Sequence, residues 1–136
     1  MFGVYHSFSF FMLQKTIIIA EDEVIVSLDL KVLLKHNNFI VSSTVYTGED
    51  LINQYKLKKP DLIIADLKLK GKVSGMEAIT EIRKMDNTPI IIISGSLKSK
   101  VKKFADIIPN CEVLEKPFKQ SELIYLVNKF FYAVPD

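Results

Sequence analysis

Tryptophan is absent, cysteine occurs once, and glycine and proline supply only five residues each in a chain of 136. The lone thiol, Cys111, has no partner for an internal disulfide, and one cysteine with two histidines is too few for a structural zinc site. Both absences fit a reducing, cytoplasmic compartment. The scarcity of Gly and Pro, with no repeat or low-complexity tract, excludes collagen-like and linker-rich chains. Charge of one sign is also lacking: 18 Lys and Arg face 16 Asp and Glu, for a net +2. That balance excludes a whole-molecule field for gripping nucleic acid, so any charge argument has to be local. No apolar run approaches the roughly 20 residues that a membrane-spanning helix needs.

What is present is the composition of an ordinary globular domain, 49% hydrophobic and 25% charged. At this length the chain holds one core and has no room for a second folded domain. The first residues stand apart. Phe2, Tyr5, Phe8, Phe10 and Phe11 crowd in before Met12 with no Lys or Arg ahead of them, which is not the pattern of a signal peptide. Residues 1–14 read as an extension: a mis-assigned start with Met12 as the true one, an arm, or a weak membrane or partner contact. The domain proper then runs over 15–132, with a tail at 133–136.

Five runs rich in Ile, Val and Leu read as strands: Thr16 to Ala20, Ile40 to Val45, Asp61 to Ala65, Pro89 to Ser94 and Glu112 to Glu115. Ile17-Ile18-Ile19, Leu62-Ile63-Ile64 and Ile90-Ile91-Ile92-Ile93 are continuous rather than alternating, as parallel strands covered on both faces require. Between the runs, apolar residues recur at helical spacing. The sets are Val26, Leu30, Leu33 and Leu34; Leu51 and Tyr55; Met76, Ile79 and Ile82; Leu97, Val101, Phe104 and Ala105; and Leu123, Leu126, Val127 and Phe130. Such alternation predicts an α/β, flavodoxin-like, doubly wound (βα)5 fold with a five-stranded parallel sheet of order 2-1-3-4-5 and helices on both faces.

In that fold the loops after the strands open on one edge, where ligands bind. There the sequence places Glu21, Asp22 and Glu23, then Asp66, then Ser94, then Lys116. Asp22 has a bland alternative as a cap for the helix starting near Val24. Asp66 is harder to dismiss, because a carboxylate ending a buried strand is costly unless it is paired or metal-bound. Three neighbouring carboxylates repel, and a divalent cation together with the Lys116 ammonium would relieve that repulsion. Magnesium suits a site of few carboxylates, retained waters and phosphate oxygens.

Ile19-Ala20-Glu21-Asp22-Glu23, Pro60-Asp61-Leu62-Ile63-Ile64-Ala65-Asp66, Ile92-Ile93-Ser94-Gly95 and Glu115-Lys116-Pro117-Phe118 stand in a distinctive order and separation. From Lys15 to about Phe131 the chain resembles the receiver domains of two-component response regulators. The resemblance implies that Asp66 accepts a phosphoryl group from a histidine kinase or phosphotransfer protein. It implies that Mg2+, or Mn2+ in its place, is held by Asp22, Asp66 and the backbone carbonyl of Lys68, with Glu21 acting through water. Lys116 and Ser94 would contact phosphoryl oxygens, and Lys68 and Ser96 would border the path of the hydrolytic water. Such a module is not a classical enzyme; it would catalyse only its own phosphorylation and dephosphorylation.

The loop from Leu67 to Ser74 is one residue longer than the commonest family version and lacks its usual proline. Where the family often carries a switching Tyr or Phe, this chain has Val113. Valine has too few rotamers and too little area to report in the same way, which shifts the expected readout to the Ser94 loop and the fourth helix. Lys98, Lys100, Lys102 and Lys103 make that helix basic, either a solvated face or a surface for an acidic protein. Cys111, just before the fifth run, reads as inert packing. The leading reading is a stand-alone receiver, monomeric or weakly dimeric through the fourth helix, fifth strand and fifth helix, acting on an unknown downstream protein and not directly on DNA. The alternatives are a phosphorylation-independent binding module, a receiver cut from a hybrid kinase, and a phosphatase of the haloacid dehalogenase type. That last class needs an aspartate where Lys68 stands.

Overall fold

The uninterrupted apolar runs become the interior of a single parallel sheet. In the computed structural model, which describes residues 14–132, the strands are β1 (Thr16–Ala20), β2 (Ile40–Val45), β3 (Leu62–Asp66), β4 (Ile90–Ser94) and β5 (Cys111–Glu115). They alternate with α1 (Val24–His36), α2 (Gly48–Lys58), α3 (Gly75–Met85), α4 (Ser99–Ile107) and α5 (Gln120–Phe131). Strand order is β2-β1-β3-β4-β5, all parallel, as the alternation predicts. The readings made for residues 1–13 of the extension and for the tail at 133–136 lie outside the described residues.

The twofold alternation of a strand sends neighbouring side chains to opposite faces. Ile18, Ala20, Ile63, Ala65, Ile90 and Ile92 face Leu51 and Tyr55 of α2 and Ala78, Ile79 and Ile82 of α3. Ile17, Ile19, Leu62, Ile64, Ile91 and Ile93 face Leu30 and Leu34 of α1 and Leu123 and Val127 of α5. Each fully buried Ile or Leu contributes about 1.5–3 kcal/mol relative to exposure. α4 is the exception: none of its residues is buried, and Val101, Phe104 and Ala105 are only partly covered.

Several boundaries differ from those read in the sequence. β3 starts at Leu62 and includes Asp66; β4 starts at Ile90; β5 starts at Cys111, so this cysteine is in the strand rather than ahead of it. α4 starts at Ser99, leaving Leu97 in the preceding loop, where its N–H donates to the Glu115 carboxylate at 3.2 Å. A half-buried loop residue of this kind mimics helical spacing in sequence.

Register decides what meets at the upper edge. Ala20 pairs with Ala65, Asp66 with Ile93, and Ser94 with Glu115. Glu21 therefore emerges level with Asp66, Ser94 one step further along β4, and Lys116 one step beyond β5. The strand order reverses between β1 and β3, which opens the crevice for these groups.

Candidate functional site

Asp66 ends β3 with only 6% of its surface exposed, and both of its carboxylate oxygens have a donor. Lys68 N–H donates to Oδ1 at 2.9 Å, and the Lys116 ammonium donates to Oδ2 at 2.8 Å. The same ammonium donates to Oε1 of the wholly buried Glu21 at 2.5 Å and lies 4.0 Å from Glu23. One lysine thus serves three carboxylates. The Lys116–Pro117 peptide that turns the chain here is cis.

Burial pushes the Glu21 carboxyl above its ordinary value, and the charge of Asp66 adds to this, while the hydrogen bond from Lys116 opposes both. Burial works against the charged form of Lys116, but its hydrogen bonds to Asp66 and Glu21 win and hold its pKa above the ordinary lysine value. The ammonium is therefore a fixed positive charge at neutral pH.

Glu21, Asp22 and Asp66 each offer an oxygen, all within 4.8 Å of one another. A small cation with ligands at ~2.1 Å can bridge oxygens so spaced with little movement, so this donor set fits magnesium. The capping role open to Asp22 is not the one it takes. Glu23 holds the N-cap position of α1, and no side chain caps that helix.

Ser94 is buried beside this cluster, and its hydroxyl donates to the Ser96 carbonyl at 2.9 Å. A cavity of about 400 Å3 is lined by Lys68, Ser94, Ser96, Lys98 and Lys100, among others. It brings together both residues expected to border the water path and two lysines of the basic run: Lys98, which is the N-cap of α4 rather than a residue of the helix, and Lys100; Lys102 and Lys103 are outside its walls. A cavity of about 490 Å3 between α1 and the start of α5 has Lys116 on its rim but is otherwise walled mostly by apolar groups such as Val26, Leu30 and Phe118.

Val113 pairs with Ile92 and packs, half-buried, against the core on the α4 side. Burial pushes the Cys111 thiol up to about 12, consistent with an inert packing residue. Sequence reading misses Glu49 and Glu115. Glu49 accepts from Val73 N–H across 24 residues, and Glu115 ties the end of β5 to the loop after Ser94.

Three acids and a lysine at the carboxyl edge of a 2-1-3-4-5 sheet, with a buried hydroxyl alongside, define the receiver class of signalling modules. The chain belongs to the response regulator receiver domain family, whose model matches residues 17–128. It is 28% identical over 110 residues to the transcriptional regulatory protein PdtaR of Mycobacterium tuberculosis, covering 81% of this chain and 53% of that one. It is 25% identical over 116 residues to the chemotaxis protein CheY of Thermotoga maritima, covering 85% and 96%. A crystal structure of a response regulator receiver protein from Sinorhizobium medicae superposes with a TM-score of 0.78 at 29% identity, over 88% of this chain and 96% of the other. The chain thus spans about half the length of PdtaR and nearly all of CheY. Receiver domains are signalling modules rather than classical enzymes. Among the described residues no helix is long and apolar enough to cross a membrane.

Proposed function

We propose that Asp66 accepts a phosphoryl group from the phosphohistidine of a histidine kinase or phosphotransfer protein. The observation that carries this is the ion pair of Asp66 with Lys116 at 2.8 Å, within a cluster where oxygens of Glu21, Asp22 and Asp66 lie within 4.8 Å of one another. A carboxylate oxygen of Asp66 attacks phosphorus, the P–N bond of the donor breaks, and its electron pair stays with the imidazole. The product is an acyl phosphate. Catalysis of such a transfer is mostly positioning and charge neutralisation.

Asp22, Asp66 and the Lys68 carbonyl would hold Mg2+ or Mn2+, with Glu21 acting through water; the ion supplies positive charge to the phosphoryl oxygens. Lys116 moves from the free Asp66 carboxylate to a phosphoryl oxygen, and its raised pKa keeps it charged for that role. The Ser94 hydroxyl leaves the Ser96 carbonyl to donate to another phosphoryl oxygen, which draws the loop before α4 inward. Lys68 and Ser96 flank the cavity through which a hydrolytic water would reach phosphorus.

The output proposed is a contact with a downstream protein, in the cytoplasm where kinase and receiver would meet. The decisive experiment treats the protein with a small phosphodonor and Mg2+ and measures intact mass. A gain of one phosphoryl group, abolished by Asp66→Asn and by chelator, is expected. No gain with any donor would leave a phosphorylation-independent binding module.

A further inference from the structure

The loop from Leu67 to Ser74 joins the phosphoacceptor strand to α3 and is anchored at both ends. At the near end Lys68 N–H holds Asp66 Oδ1 at 2.9 Å, and Gly75 N–H holds the Leu67 carbonyl at 3.1 Å. At the far end the loop is tied to the start of α2. Thr47 and Lys70 form an isolated parallel bridge, and the Glu49 carboxylate accepts from Val73 N–H. The glycines fit that contact. Gly71 has φ +95°, and a Cβ there would lie within 3.0 Å of three Glu49 carboxylate atoms. Gly48 lacks a side chain where the Val73 carbonyl crosses α2.

We propose that Glu49 is a positioning residue for the divalent-cation site, latching the Leu67–Ser74 loop to α2 and so fixing the Lys68 backbone at the site. The inference rests on the reading of Asp22, Asp66 and Lys68 as cation ligands. A first-turn acid can simply favour the positive end of its helix. Here Thr47 already caps α2, accepting from Asp50 N–H at 3.1 Å, and the Glu49 carboxylate is spent on a donor from another element. A ligand carried by the backbone of an eight-residue loop has only the loop's anchors to orient it, and supports of this kind commonly govern metal affinity.

The test measures Mg2+ affinity of the full chain by calorimetry for wild type, Glu49→Ala, Glu49→Gln and Gly71→Ala, with hydrogen exchange of the Val73 amide in metal-free protein. Glu49→Ala is expected to weaken Mg2+ binding ~10-fold and to speed exchange at that amide. Glu49→Gln, which keeps the acceptor and drops the charge, should stay near wild type in both. Gly71→Ala, which crowds the Glu49 carboxylate while leaving residue 49 unchanged, should follow Glu49→Ala. Affinity unchanged in Glu49→Ala, or lowered equally by Glu49→Gln, overturns the latch while leaving the cation site standing. A wild-type protein that binds no Mg2+ overturns the reading of the site itself, and with it the role given to Glu49.

Discussion

The Lys116 ammonium lies 2.8 Å from Oδ2 of Asp66, two residues 50 apart in sequence that meet because β4 separates their strands by a single lane of the sheet. It also holds the buried Glu21 carboxylate at 2.5 Å. Resting charge balance at the site therefore runs through one side chain, for which the phosphoryl group of the proposed reaction would have to compete.

Replacing Lys116 by Met keeps much of the stem and removes the charge. Two effects of opposite sign are expected. Phosphorylation of Asp66 by a small donor should slow by on the order of 100-fold, as when other preorganised charge-stabilising donors are lost. Mg2+ should bind more tightly, because Glu21 and Asp66 no longer share a competing cation. Intact-mass time courses read the first effect and calorimetric titration the second. Weaker Mg2+ binding in Lys116→Met would contradict this charge balance.

Cation binding should stabilise the fold, since the carboxylates repel one another until they are bridged. Stability is expected to rise by about 2.7 kcal/mol at a Mg2+ concentration about 100 times the dissociation constant, read as a higher melting temperature that returns on chelation. In Asp22→Asn, which removes one of the three clustered acids, most of the Mg2+-dependent increment should vanish. An increment of wild-type size in that variant would remove Asp22 from the ligand set.

The pH dependence of the metal-free protein carries a sign. Glu21 has a folded pKa raised above its ordinary 4.5, chiefly by burial. Its protonated form is therefore favoured by folding: the associated stability is full below about pH 4.5 and is lost as pH rises through the raised folded value. Glu21→Gln mimics the protonated form at every pH and can still accept from Lys116. The variant should match wild type at the acid end of the range and melt higher than wild type near neutrality. Denaturation curves of both proteins from pH 4 to 8, without metal, check this; parallel curves would mean that Glu21 titrates normally.

The middle of the sheet is legible in sequence because strands buried on both faces must be apolar at every position, as Ile17 to Ile19 and Ile90 to Ile93 are. The site acids are legible for a related reason: Glu21 and Asp66 are charges placed directly after such runs. α4 is less so, because Leu97 continues its apolar spacing from inside a loop and none of the helix's residues is buried. Glu49 is illegible, since Glu49 and Asp50 together in the first turn of a helix look like dipole compensation. Its contact with Val73 exists only once α2 and α3 lie side by side on the sheet.

If Asp66 takes a phosphoryl group as proposed, Ser94 and Val113 together decide where that event is read out. The Ser94 hydroxyl is engaged at 2.9 Å with the Ser96 carbonyl, so its recruitment to a phosphoryl group has to break a contact within the loop leading to α4. That helix has no buried residue to resist the shift. Val113, by contrast, is half-buried against the core with a β-branched side chain confined to few rotamers. Beryllium fluoride, as phosphoryl analogue with Mg2+, should move the amide signals of Gly95 to Phe104 strongly and the Val113 methyl signals little. Ser94→Ala should still bind the analogue through Asp66 and Lys116, yet lose most of the α4 response. Spectra unchanged from Gly95 to Phe104, or a response in Ser94→Ala equal to wild type, would place the readout elsewhere on the domain.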